Sequence, residues 1–433
     1  MKQPIKTFIF IAALMMATLS LRAAVASDMC EVRVAPADGS WTMPVGKEGK
    51  FRILVTRDNI PVPEGTVDYD ISEDLMTPRA KGTVKFTNGE AIVDAGTMDT
   101  PGFLRCNARC KIMGRDYSAT GTIGFDPDSL RPVTNYPADF KDFWEKEIAK
   151  ATAGDMNARM ELIPEKCTPE VNVYRVSFKI NANERNTYYG MLAMPAKEGS
   201  YPAIVQFPGA GVYAIDAPVD RAKQGIIAMA MGIHCMENDL DADVYNTLSS
   251  GALSDYPTRN MQSRDRYYYK NVILGAVRAV DFLAGLPQCN GRIATYGGSQ
   301  GGFLSIAVAA LHPSVCYVVA NFPAMSDLAG YTRGRAGGWP HIFKSEENRT
   351  PELLETLSYF DTANFARHIT VPGYYCFGYN DRTCAPTTTY AVYNTIAAPK
   401  TLLPAPLATH RLLSEQKAEE DKALATFLLG SND

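Results

Sequence analysis

A glycine-bracketed serine between a strand and a helix restricts this chain more than any other feature. Arg292 to Tyr296 has the composition of a short strand, Gly301 to Ala310 begins an apolar helix, and Gly297-Gly298-Ser299-Gln300-Gly301 joins the two. On so tight a turn the positions two before and two after the serine converge, and a side chain at either would collide. The turn lifts the hydroxyl above the sheet edge. It also directs the unpaired N–H groups of the following helix toward negative charge developing there. In a strand–turn–helix setting this pattern is a nucleophile elbow, so Ser299 is the candidate nucleophile and an α/β architecture is expected around it.

The flanking sequence agrees. Phe140, Phe143, Trp144 and Ile148 form an apolar stripe on a helix from Ala138 to about Ala151. Strand patterns follow at 171–180, 188–194, 201–207 and 225–230, then a helix at 267–283 stopped by Gly285 and Pro287. This alternation predicts a doubly wound, mostly parallel sheet covered by helices over 138–433. The segment before it differs. Between 27 and 125, short period-two runs such as Cys30–Val34, Phe51–Val55, Thr66–Ile71 and Gly82–Phe86 are separated by Gly, Pro and Asn turns, Asn88-Gly89 among them. They predict an all-β sandwich of immunoglobulin-like size that carries no catalytic group. Pro-rich residues 126–137 form the expected linker.

A serine nucleophile needs a base and an acid, and after an elbow they follow in the order acid, then histidine. Of the downstream histidines, His312 follows the elbow helix too closely, His341 lies in a Gly/Pro loop, and His368 precedes a strand in a short helix. His410 lies in a loop before a last helix, where a loop-borne base belongs. For the acid, Tyr374–Gly378 is an apolar strand running into a polar turn that ends in Asp381, whereas Asp327 and Asp361 follow no such strand. A carboxylate there can accept the imidazole Nδ1–H bond and stabilise the imidazolium as it forms. Gln300 N–H and a second N–H from Pro208-Gly209-Ala210-Gly211, with Ala210 first among them, are the candidate oxyanion donors. The polar stretch 239–255 is a candidate pocket rim.

Residues 1–26 have the layout of a secretory signal peptide: Lys2 and Lys6, an apolar run from Phe8 to Leu21, and Ala24-Val25-Ala26. An exported protein, periplasmic or extracellular, is expected, with no stable insertion in a membrane after cleavage. With 43 Lys plus Arg against 47 Asp plus Glu and no basic tract, the chain is not built to neutralise a phosphate backbone, and no nucleic-acid partner is expected. Nine cysteines without Cys-x-x-Cys spacing point to buried thiols or a local staple such as Cys106–Cys110, and five scattered histidines give no metal cluster. No cofactor or metal is required.

From about Pro137 onward the chain resembles the acetyl xylan esterase / cephalosporin C deacetylase family, carbohydrate esterase family 7, of the α/β-hydrolase superfamily. Asp139-Phe140 through Phe143-Trp144 is similar to that family's opening helix, Gly297–Gly302 to its elbow, and Asp381-Arg-Thr-Cys384-Ala-Pro386-Thr-Thr388 to its acid-bearing segment. Asn321–Asp327 is similar to the segment beside its pocket. The resemblance implies a triad of Ser299, Asp381 and His410, oxyanion donors at Ala210 and Gln300, and removal of acetyl groups from acetylated oligo- or polysaccharides. Two positions depart from the pattern. Met231-Gly232-Ile233-His234 stands where the family shows Arg-Gly-Gln, and Arg411 follows His410 where it shows Glu. The family's ring-like hexamer makes a homo-oligomer an expected partner arrangement. The alternatives are a serine peptidase or longer-acyl esterase on the same fold, and a non-catalytic carbohydrate-binding protein.

Overall fold

A computed structural model of the chain describes residues 30–181 and 186–430, so the leader expected at 1–26 lies outside the described residues. Alternating side chains shape the first sheet. In Gly49–Arg57, Phe51, Ile53 and Val55 are fully buried while the residues between them face outward. Nine strands form in this region: β1 (Cys30–Pro36), β2 (Thr42–Met43), β3 (Gly49–Arg57), β4 (Ile60–Pro61), β5 (Glu64–Glu73), β6 (Pro78–Thr87), β7 (Glu90–Gly96), β8 (Gly102–Ile112) and β9 (Arg115–Phe125). They share one hydrogen-bonded path, β1-β3-β7-β6-β5-β8-β9-β2, with β4 on β3. Only β2 and β9 pair in parallel. The path curls until β9 meets β1, where a Cβ at Gly121 would approach Val34 O to 2.6 Å. Its continuity is thinnest at the Asn88-Gly89 turn, where Thr87 and Glu90 are the single β6–β7 pair.

β8 was not legible as a strand. Its alternate residues Leu104, Cys106, Ala108, Cys110 and Ile112 enter the core of this sheet, but Phe103 and Arg105 on the opposite face are buried as well. Covering both faces removes the polar half of the alternation. The local staple is excluded by the same strand. Cys106 and Cys110 point to one side about 13 Å apart at a strand's rise per residue, far beyond disulfide reach. All nine cysteines are free.

The second sheet contains β10 (Arg159–Leu162), β11 (Val171–Lys179), β12 (Thr187–Pro195), β13 (Tyr201–Phe207), β14 (Ile227–Met231), β15 (Cys289–Gly298), β16 (Val315–Asn321), β17 (Gly373–Gly378) and β18 (Lys400–Ala405). Its order is β10-β11-β12-β14-β13-β15-β16-β17-β18, antiparallel through the β12–β14 pair and parallel from β14 onward. The sheet is therefore mixed but mostly parallel. Helices α1 (Phe140–Thr152), α2 (Tyr268–Ala284), α3 (Gln300–Leu311), α4 (Pro386–Thr395) and α5 (Ser414–Leu429) pack about it. On α1 the predicted stripe buries Phe140, Phe143 and Trp144, and the Trp144 indole N–H donates to Tyr359 O at 3.1 Å.

The expected linker is strapped down rather than loose. Asp327 Oδ1 accepts from the Val133 and Thr134 amides at 2.7 and 3.0 Å, and the Asn394 side chain donates to Pro127 O at 2.9 Å. Asp361, which also binds Thr134 Oγ1 at 2.7 Å, accepts the Asp327 and Leu328 amides. These two aspartates are occupied in holding the chain.

Candidate active site

Ser299 stands at the end of β15, directly before α3, with φ 58° and ψ −122°. Its N–H donates to Asn321 O on the neighbouring β16 at 3.0 Å, and its carbonyl accepts from Ala324 N at 2.9 Å. The turn is tight for an identifiable reason. A Cβ at Gly297 would lie 2.5 Å from Gly301 C, and one at Gly301 would lie 2.2 Å from Phe207 O at the end of β13. The elbow is wedged between its own helix and the adjacent strand.

The turn after β17 presents Asp381, fully buried. Its Oδ1 accepts the Thr383 and Cys384 amides at 2.7 and 2.9 Å, and its Oδ2 lies 2.7 Å from His410 Nδ1. Two amides on one oxygen and an imidazole on the other hold the carboxylate plane. His410 arrives on the loop after β18, which approaches β17 closely enough that a Cβ at Gly378 would meet Ala408 O at 2.2 Å. The His410 ring is part exposed and packs against Phe322, with centroids 4.6 Å apart. Phe322 directly follows Asn321, whose carbonyl holds the Ser299 amide, so the elbow and the Asp381–His410 pair lie on the same side of the sheet, at the carboxyl ends of β15 to β18. Cys384, on the same turn as Asp381, is buried, and burial with the neighbouring Asp381 keeps its thiol far above its usual pKa and therefore neutral.

Ala210 lies in the loop after β13 and Gln300 is the first residue of α3. Among the described residues neither amide donates a hydrogen bond. The Gln300 side chain has a part that sequence reasoning missed. Its Nε2 donates to Pro208 O and Gly209 O, both at 3.3 Å, while its Oε1 accepts from Tyr256 OH at 3.1 Å and Tyr269 OH at 2.7 Å. Tyr256 OH also accepts the Gly211 amide at 3.0 Å.

His234, the last residue of the departing segment Met231–His234, braces the same loop. Its Nε2 is 2.8 Å from Gly211 O and its Nδ1 2.8 Å from Tyr268 OH. Burial pushes its pKa down, so the neutral ring donates from Nε2 and accepts the tyrosine proton at Nδ1. The sequence signal was present only as a departure from a motif. Tyr256 lies just past the candidate rim 239–255, which contains a helix over Ala242–Ser250 with Tyr245 buried. Arg411, the other departure, is exposed.

The remaining histidines are placed elsewhere. His312 Nε2 meets Asp281 at 2.9 Å, His368 bonds Tyr136, and His341 lies between Tyr331 and Gly337 O. No group of three or more His, Cys, Asp or Glu side chains among the described residues is placed to hold a metal ion. No helix among them is long and apolar enough to cross a membrane.

Comparison with known proteins places this geometry in context. A family model described as acetyl xylan esterase (AXE1) matches residues 128–426. The acetyl esterase Axe7A of Xylanibacter ruminicola is 36% identical over 421 residues, covering 96% of this chain and 94% of that protein. An acetyl xylan esterase from Paenibacillus sp. R4 superposes with a TM-score of 0.60 at 25% identity, over 70% of this chain and 98% of its own. Acetyl xylan esterase 1 from Thermoanaerobacterium sp. gives 0.59 at 22%, over 69% and 96%. The Axe7A alignment, at 96% of the chain, takes in the N-terminal sheet.

Proposed function

The chain belongs to the acetyl xylan esterase family, and from that premise we propose that it removes acetyl groups from acetylated carbohydrates with Ser299 as nucleophile, His410 as base and Asp381 as its acid partner. The observation that carries the assignment of roles is the Asp381–His410 hydrogen bond of 2.7 Å at the same sheet end as the elbow. His410 Nε2 takes the Ser299 proton as Oγ attacks the acetyl carbonyl, and the Ala210 and Gln300 amides receive the oxyanion. Collapse of the tetrahedral intermediate breaks the ester C–O bond, and the proton on His410 goes to the departing sugar oxygen. A water then gives its proton to His410 and attacks the acetyl-enzyme. Acetate leaves, and the returning proton restores Ser299.

The finer architecture follows the same reading. We take 138–433 as an α/β-hydrolase domain, and 27–125 as an immunoglobulin-like support of two leaves joined at the Asn88-Gly89 turn. The linker at 126–137 connects them. The leader at 1–26 supports export to the periplasm or beyond. An acidic balance and the absence of a basic tract in the sequence speak against a nucleic-acid partner, and a homo-oligomer is the assembly that the family suggests.

The test is acetate release from acetylated xylan and xylo-oligosaccharides, beside aryl acetate and aryl butyrate. Ser299→Ala is expected to fold and to lose turnover by several orders of magnitude, as triad removal does. Acetate is expected to be preferred over butyrate; side chains closing the site just beyond the methyl would give about 5- to 150-fold, the rate equivalent of about 1–3 kcal/mol of overpacking. Near-parental activity of Ser299→Ala would defeat the site, and equal rates on the two esters would defeat the acyl preference alone.

A further inference from the structure

We propose that the N-terminal sheet is a working part of the active site: Arg105 on β8, with Asp74 and Thr122, positions the turn that carries Asp381. The inference rests on the reading of Asp381 as the acid partner of His410.

A guanidinium on a buried strand is costly unless its donors are matched. Arg105 is 2% exposed, and its Nη2 reaches across to the other sheet. Its Nη2 donates to Tyr379 O at 3.1 Å and Asp381 O at 2.9 Å, and Nε donates to Thr122 Oγ1 at 3.3 Å. Thr122 Oγ1 in turn donates to Asn380 Oδ1 at 2.8 Å. Asp74, also 2% exposed, pairs with Arg105 Nη2 at 2.7 Å, and its other oxygen accepts the Thr387 amide at 3.2 Å. The acid-bearing turn is thus held at its start by Arg105 and Thr122 and at its end by Asp74, on the first turn of α4. Phe103, two residues before Arg105, packs edge-on against Tyr379 with centroids 5.1 Å apart.

The polarity of these contacts is the informative part. Mere attachment of two sheets is achieved at least as well by apolar side chains, since buried ion pairs are often replaced by hydrophobic ones without loss. Directional bonds to the carbonyls of Tyr379 and Asp381 do something apolar packing cannot. They fix the backbone of Asp381 while its carboxylate is fixed from the other side by Thr383, Cys384 and His410. Arg105, Asp74 and Thr122 touch no reacting atom. They act through Asp381 and are positioning residues.

The experiment uses the full chain with Arg105→Met, Arg105→Lys and Thr122→Val. Val93→Ala, which opens a cavity in the N-terminal core, serves as a stability reference. Ångström-scale displacement in a catalytic constellation costs on the order of 10²-fold. Arg105→Met is therefore expected to lower kcat on aryl acetate by roughly 10- to 100-fold, and Thr122→Val by less, with KM little changed. Arg105→Lys should recover part of the loss. Val93→Ala should lower Tm and leave kcat unchanged well below its melting point. Parental kcat in a folded Arg105→Met would overturn the proposal, and so would an equal kcat loss in Val93→Ala. Should Arg105→Met fail to fold, parental kcat in Thr122→Val decides against it. Activity surviving Ser299→Ala would instead sink the site assignment on which the inference stands.

Discussion

Gln300 carries two tasks at adjacent atoms. Its backbone N–H opens α3 beside Ser299, and its side-chain Nε2 holds the carbonyls of Pro208 and Gly209 in the loop bearing the second proposed oxyanion donor. Tyr256 and Tyr269 saturate its Oε1, so the amide cannot swing away. Gln300→Ala keeps the backbone donor and removes the brace. It is expected to lower kcat by about 10- to 100-fold with little change in KM, since a displaced oxyanion donor acts on the transition state. Steady-state kinetics on aryl acetate check this, and an unchanged kcat would show that His234 and Tyr256 hold the loop without it. The identity of residue 300 was readable as part of the elbow. Its side-chain role was not, because the carbonyls it binds lie on another strand's loop.

At the scale of elements, α3 is buried from Gln300 to Ala309, so no polar face marks its period. Its beginning was legible from the elbow; its far end depends on α2. Asp281 near the end of α2 accepts from Arg278 at 2.6 Å and meets His312, which closes α3, at 2.9 Å. Burial works against the Asp281 carboxylate, but His312 and Arg278 outweigh it and hold its pKa below the usual range. A depressed carboxyl stabilises the fold above the unfolded-state value near 4, and that contribution is lost as pH falls through the lower folded value. Asp281→Asn is therefore expected to lower Tm at pH 7, with a deficit that shrinks as the pH drops below about 4. Thermal melts of both proteins across that range test it; a deficit independent of pH would remove the electrostatic explanation. β8 illustrates the opposite case. A strand covered on both faces has no alternation to read, and Cys106 and Cys110, the residues that drew attention, face only its inner side.

For the whole molecule, the N-terminal sheet has its own core yet contributes Phe103 to the core of the second. Deleting residues 1–125 would remove Arg105, Asp74 and Thr122 together and uncover the rings of Tyr379 and Tyr390 that Phe103 packs against. The truncated chain is expected to melt at a lower temperature and to lose most of its esterase activity, as measured by calorimetry and acetate release. Parental values of both would show two independent units. The sequence alone determined what short-range sterics and periodicity encode. The elbow at Ser299 is one such feature, because glycines two residues away must clear the turn, and the change from period-two strands to alternating strands and helices past residue 137 is another. It also ordered Ser299, Asp381 and His410 along the chain. Tertiary structure decided which buried polar groups answer one another. Arg105 reaches Asp381, Gln300 reaches Pro208, and His234 reaches Gly211, because a desolvated donor must find an acceptor wherever the fold brings one near, and sequence separation carries no record of that proximity.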